Sequence, residues 1–411
     1  MIPSDENADE RRLRLARQYL DSVREDMGPD AADSDIAGRL RDEALEQSGR
    51  RQRALAARLC GVRASGYSLS RGHRESLTTV VVSDDGATAY SGSKDGTIIK
   101  WDVATGQRLH TLPAFTRRSG KGRSHTAHVL ALALTSDGRL LASGGADRRV
   151  HLWDCGADAG AAGVGPGSDL GGHQDAVTAL AFRGGSRQLF SGSADRTVKV
   201  WNADSSAYIE TLYGHQAEIT ALDCLERERV LSAAADCTCR VWKIAEESQL
   251  VYRGHNASID TVALVNESMF VAGSQDGALS LWLSAKKAPV DYRKDAHARG
   301  AWIASVAACK RSDLVASGAS DGILRLWQVD RRAGGRDAAG APLLPILRPL
   351  KEVSMPGFVN ALAFAKNAEV LVAGVGQEHR LGRWERIKEA SNGIAFIPLS
   401  YTEDMEAVDD N

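Results

Sequence analysis

The stretch HQDAVTALAFRGGSRQLFSGSADRTVKVW, residues 173–201, decides the fold. It holds two strand-like runs, AVTALAF and QLFSG, and a third, TVKVW, beyond the turn SADR. β-Branched and apolar residues fill the runs, while Gly, Ser and Asp separate them, as in short strands joined by tight turns. His173 opens the stretch, Asp195 sits in its last turn and Trp201 ends it. The same marks recur along the chain. Trp101, Trp153, Trp201, Trp242, Trp282, Trp327 and Trp384 follow one another at 52, 48, 41, 40, 45 and 57 residues. In the first six units an Asp lies six residues before the Trp: Asp95, Asp147, Asp195, Asp236, Asp276 and Asp321. A His precedes each Asp by 21 to 24 residues: His73, His125, His173, His215, His255 and His297.

A period near 40–45 residues with this strand content is that of a WD40 propeller blade. The expected fold is all-β: a seven-bladed WD40 β-propeller over residues 65–400, with a helical N-terminal arm over 1–64 and an acidic disordered tail over 401–411. The longer spacings hold Gly/Ala-rich insertions, at 155–169 and 329–342, read as surface loops. Two segments compete for the last outer strand, NGIAFIPLS (392–400) and GYSLS (66–70). The C-terminal one is preferred, because it follows Trp384 as a simple hairpin would.

Net charge is −2, so any nucleic-acid site must be a local patch and not the whole surface. The six cysteines lack paired zinc-ligand spacing and read as reduced thiols, which points to the cytosol or nucleus. No apolar run approaches 18 residues, and the first residues, MIPSDENADERR, are polar, so neither a membrane span nor a secretory signal is expected. No metal site and no cofactor motif is read from the sequence. Ser, His and Asp recur together, as in Ser191, His173 and Asp195, and suggest a hydrolase triad. An active site is single, however, and this set repeats. It is better read as a buried network in which the His ring bonds to the turn Asp, and Ser and the Trp indole extend the chain. No GxSxG nucleophile elbow, P-loop or HExxH motif is read, and the chain is read as a non-enzyme.

The His and Asp residues mark one propeller face, and cations cluster on it. The link into the second blade, FTRRSGKGRSH, carries Arg117, Arg118, Lys121 and Arg123. The turns carry Lys94 in blade one, Arg148 and Arg149 in blade two, and Arg196 in blade three. Blade seven replaces the Asp by Glu378 and adds His379, Arg380 and Arg383. Blades seven, one, two and three are neighbours in a ring, so these side chains form an arc able to meet phosphates or unpaired bases. In the arm, residues 9–27 and 35–59 read as helices with a narrow apolar stripe that includes Leu13, Ala16, Leu20, Val23 and Met27.

Three segments carry a specific likeness: AGRLRDEALEQSGRRQ (37–52), EESQLVYRGH (246–255) and VAGVGQEHRLGRWERIKEA (372–390). With them the chain resembles the U3 small nucleolar RNP-associated WD40 proteins, from the arm through the last blade. The resemblance implies a non-catalytic subunit that binds the box B/C region of U3 RNA together with a small kink-turn-binding protein. It further implies a role in small-subunit (18S) pre-rRNA processing in the nucleolus, with the arm meeting other processome proteins and the chain a monomer outside the complex. Gln377, Glu378, His379, Arg380 and Arg383 match the family's last-blade signature. The competing reading is a protein-only WD40 adaptor, such as a ubiquitin-ligase substrate receptor or chromatin reader, with a peptide in its channel.

Overall fold

A computed structural model describes residues 53–62, 66–114, 125–156, 165–298, 300–330 and 344–402. The chain divides into two units, Met1–Gln52 and Arg53–Asn411, and the second holds all the described residues. The helices expected over 9–27 and most of 35–59 therefore lie outside them, as does nearly all of the acidic tail. Where the second helix reaches described residues, a single 3-10 turn, Ala56–Arg58, leads into a strand at Leu59.

Seven antiparallel sheets make the propeller. Blade three shows the plan: Val177–Phe182 innermost, then Gln188–Ser193, Thr197–Asn202, and Ala207–Tyr213 outermost. Each inner strand packs against the inner strand of the next blade, and the seventh packs against the first. Blade faces meet at small residues. A Cβ on Gly192 would stand 2.7 Å from Ile219 of blade four, and one on Gly144 would stand 2.6 Å from Val177 of blade three. No larger side chain fits there while interiors stay close-packed. Short polar side chains then stitch neighbouring inner strands together. Thr78 Oγ1 donates to Val129 O at 2.5 Å, Thr220 Oγ1 to Ile259 O at 2.5 Å, Ser305 Oγ to Val359 O at 2.7 Å and Asn360 Nδ2 to Leu77 O at 2.8 Å. The last of these joins blade seven to blade one.

Ring closure differs from the sequence expectation. The segment Gly393–Tyr401 is the third strand of blade seven, paired with Val370–Gly376. The outer position is filled from the N-terminal side: Ser68–Ser70 pairs with Ile394–Phe396, and Leu59–Val62 pairs with Leu399–Tyr401. The cause is a long loop. Residues 377–392 separate the second and third strands, and Trp384 falls inside that loop. Alignment on Trp384 therefore moves every later strand one position outward. The boundary drawn at 64/65 shifts as well. Arg53 bridges to Ser312, and the Leu55 and Ala56 amides bond to Asp313 Oδ1 at 2.8 and 3.0 Å. The propeller thus takes in chain from residue 53 onward.

Candidate nucleic-acid interface

The His–Asp–Ser–Trp residues set the face on which a site can be built. In blade three His173 Nδ1 donates to Asp195 at 2.8 Å, Nε2 meets Ser191 Oγ at 2.8 Å, and the Trp201 indole donates to the same Oγ at 2.7 Å. Blades two, four and six repeat the set around Ser143, Ser232 and Ser317. In blade one Thr97 stands between His73 and Asp95, with Oγ1 at 2.8 Å from the ring and 2.5 Å from the carboxylate. Blade five departs further. Ala272 occupies the serine position, so Ser280 takes over the bonds to His255 and Trp282 at 2.6 and 2.8 Å. His255 Nδ1 is left without a partner, and burial pushes its pKa down to about 4. Burial raises the turn carboxyls, but bonds from the His ring and from Thr and backbone donors outweigh it and hold them well below the usual range, Asp321 at about 2. Ser191 Oγ is enclosed and shared between His and Trp, so it offers no approach to a substrate.

Because each His precedes an inner strand and each Asp sits in the turn after a second strand, both loop types share one face. In three blades the turn puts a non-glycine residue at positive φ directly after its Asp: Arg148 (67°), Arg196 (70°) and Cys237 (59°). Arg148 and Arg196 are exposed and form no ion pair among the described residues. Arg149 is also exposed, with Asp169 at 3.9 Å. Between blades one and two on this face lies a cleft of about 420 Å³, lined in part by Arg74, Glu75 and His128.

Blade seven is built differently, and several expected outward cations point inward. Arg380 donates to Thr220 O at 3.1 Å and Asp260 O at 2.6 Å, carbonyls on the inner strands of blades four and five. It therefore crosses the mouth of the central channel and is no outward-facing contact. His379 is 2% exposed, packed edge-on to Trp302 and Phe358 and tilted against Trp384. Its Nδ1 accepts from the Leu381 amide at 3.3 Å, while Nε2 has no partner. Burial, with Arg380 and Lys94 adding to it, pushes this ring down to about 3, so it is neutral. Lys94 is buried too: Nζ donates to Gly382 O at 2.9 Å and lies 3.5 Å from Glu378. A partly buried glutamate stands where the other blades have Asp, and it holds the loop together by facing Lys94, Arg383 and Arg386 at 3.5, 3.2 and 4.0 Å. Gln377 Nε2 donates to Ala390 O at 2.8 Å, and its Oε1 accepts from Arg386 at 2.9 Å.

What the loop presents outward is Trp384, 63% exposed, flanked by Arg383 and Arg386, whose side chains are 65% and 62% exposed. Arg383 also pairs with Glu75 of blade one at 3.0 Å. Sequence reasoning counted Trp384 as a structural residue and passed over Arg386. The missing turn Asp is the signal that marks both. Arg117, Arg118, Lys121 and Arg123 lie outside the described residues. Among the described residues, the exposed cations of this face are Arg148, Arg149 and Arg196 on the turns, and Arg383 and Arg386 around Trp384.

Comparison with known proteins bears on this chain as a whole. The family model "WD domain, G-beta repeat" matches residues 66–102, 118–154, 166–202, 206–243, 246–282 and 292–328, the six blades with a complete His–Asp–Trp pattern. The mouse (Mus musculus) protein named U3 small nucleolar RNA-interacting protein 2 is 42% identical over 410 residues, covering 96% of this chain and 83% of its own. An Arabidopsis thaliana protein named U3 snoRNP-associated protein-like EMB2271 is 39% identical over 428 residues, covering 96% of this chain and 86% of its own. A solved structure described as "Structure of U3-55K" is 43% identical and superposes with a TM-score of 0.75 over 82% of this chain and all of its own. Taken with the propeller and its irregular seventh blade, these matches place the chain in the family of U3 small nucleolar RNA-interacting WD40 proteins.

Proposed function

We propose that this protein is a non-catalytic subunit of the U3 small nucleolar RNP and binds the box B/C region of U3 RNA through the face that carries Trp384. On this reading it acts beside a small kink-turn-binding protein, supports small-subunit pre-rRNA processing, and works in the nucleolus. One observation carries the RNA reading. The loop at 377–392 spends its inward cations on the protein itself and shows solvent an indole between two arginines. An exposed aromatic ring stacks on an unpaired base at about 1–3 kcal/mol per base, and flanking guanidinium groups meet phosphates. Arg380 also spans the channel mouth at this face, which weighs against an adaptor that threads a peptide there.

The test uses the full chain, the kink-turn-binding protein and a box B/C RNA duplex, read by gel shift across a salt series. The variant R148E/R196E/R383Q/R386Q leaves the buried contacts of Arg380 and Lys94 in place and gives up exposed pairs with Glu75 and Glu378, so its melting temperature is expected to fall by no more than a few degrees. Its RNA affinity is expected to fall at least a hundredfold, with a shallower salt slope. Unchanged RNA binding by this variant would remove the face from consideration.

A further inference from the structure

We propose that His125, Asp147 and His151 of the second blade form a binding site for a divalent transition-metal ion of the zinc class. The position four residues after the turn Asp is Ile99, Lys199, Arg240, Ser280 or Arg325 in the other blades that carry the His–Asp pair. In blade six Arg325 there donates to Asp321 at 3.3 Å. Only blade two places a second histidine beside the carboxylate. His125 Nδ1 lies 2.9 Å from Asp147 Oδ2, His151 Nε2 lies 3.7 Å from the same oxygen, and the three ligand atoms sit within 4.8 Å of one another. The His125 and His151 rings meet edge to face at 4.4 Å. A tetrahedral ion with bonds near 2.0–2.1 Å has ligand atoms about 3.3 Å apart, so small side-chain rotations complete the set.

The surroundings are those of a ligand and not of a spare histidine. His151 is 4% exposed, and its Nε2 is buried without a hydrogen-bond partner. A buried ring nitrogen is seldom left so. Its Nδ1 is 2.8 Å from Asp169 Oδ1, and since a carboxylate only accepts, Nδ1 carries the proton. Nε2 then faces Asp147 Oδ2 at 3.7 Å; burial opposes a second proton on the ring, but the two carboxylates outweigh it and raise the ring's hold on that proton, whose place at Nε2 the ion would take. A carboxylate that fixes a His tautomer in this way is the usual outer support of a zinc-bound imidazole. Two imidazoles and one carboxylate suit zinc, with the fourth position left to water. Binding shifts the His125 proton from Nδ1 to Nε2, toward Ser143 Oγ, and only a proton held on His151 Nε2 leaves as the ion enters. The ion would staple the turn that carries Arg148 and Arg149 to the start of the blade.

The test titrates tag-free, chelator-stripped full-length protein with zinc at pH 7.5 in two buffers of different ionisation enthalpy. One saturable site is expected, with no more than one proton released. Cobalt should give the visible bands of a tetrahedral nitrogen–oxygen site, with no thiolate charge-transfer band from the six free cysteines. The control is H151R, which reproduces the arrangement of blade six and should melt like stripped wild type, yet bind zinc at least tenfold more weakly. D169N, which weakens the orienting bond and removes the exposed pair with Arg149, should weaken binding ten- to a hundredfold. No saturable zinc binding by wild type, as for a protonated His151 clasped between two aspartates, would overturn the proposal. So would equal binding by H151R, or a thiolate band in the cobalt spectrum.

Discussion

His379 should make this propeller sensitive to mild acid. In the folded chain the ring is neutral down to about pH 3, because it is enclosed by Trp302, Phe358 and Trp384 and faces the positive charges of Arg380 and Lys94. In the unfolded chain it takes a proton near pH 6.5. A folded pKa below the unfolded one gives stability that is complete above pH 6.5 and declines as pH falls through the window down to about 3. Two pH units below 6.5 the unfolded state has gained about 2.7 kcal/mol from this proton, at 1.36 kcal/mol per unit, and the folded state almost nothing. Replacement by Phe keeps a ring in the aromatic cage and removes the titration. It also removes the acceptor for the Leu381 amide, at a cost of about 1 kcal/mol that does not depend on pH. Urea unfolding of wild type and H379F at pH 7.5 and pH 4.5 isolates the effect. The network aspartates and His255 titrate alike in both proteins and cancel in the double difference. H379F should gain about 2–3 kcal/mol relative to wild type on going to pH 4.5. A double difference below about 0.5 kcal/mol would mean that the ring is hydrated or charged in the folded state, and the enclosed-loop description would fail.

Three further outcomes follow from contacts elsewhere. S191A removes the oxygen shared by the His173 ring and the Trp201 indole; leaving these buried groups unpaired should cost about 2–4 kcal/mol in urea unfolding, whereas a cost below 1 would mean the network is not tight. Deleting residues 1–70 strips the outer strands from Gly393–Tyr401 and should abolish cooperative unfolding by circular dichroism, and a cooperative transition in that variant would show that the N-terminal strands do not close the ring. R380M removes the two bonds to Thr220 O and Asp260 O, and trypsin should then cut at Arg383 and Arg386 at least tenfold faster while most of the global stability remains; unchanged cleavage would show that Arg380 does not hold the loop.

Much of the architecture was legible because a propeller repeats. Six Trp residues at near-constant distance from Asp and His report six copies of one sequence pattern, four of them with the same hydrogen-bonded set, and any copy supports the reading of the others. What repetition teaches, it also over-extends. Trp384 obeys the spacing but not the chemistry, because its indole packs edge-on to Trp302 at 5.6 Å instead of bonding to a serine. The outer strand of blade seven was obscured for a related reason. Leu59–Val62 is four residues long and lies more than 330 positions from its partner, so no local pattern announces it. The cations were legible as residues but not as directions. Nothing in RTVKVW or HRLGRW says that Arg196 faces water while Arg380 reaches across the ring.

Turn length is what separates those two arginines. Where strands two and three are joined by a tight turn, the residue after Asp is held at positive φ, and its side chain has no direction open but outward, as at Arg148 and Arg196. Blade seven has no such constraint, since sixteen positions, 377–392, lie between its strands. A loop of that length must anchor itself, and on a face with an open channel the nearest unfilled acceptors are the strand-end carbonyls across the mouth. Arg380 takes two of them, Lys94 takes Gly382 O, and Glu378 balances the charge gathered there. The glutamate in place of aspartate is thus the mark of a blade that has given up its own closing turn. With the N-terminal strands completing that blade's sheet, the turn is no longer needed for closure, and the loop is free to carry Trp384 outward.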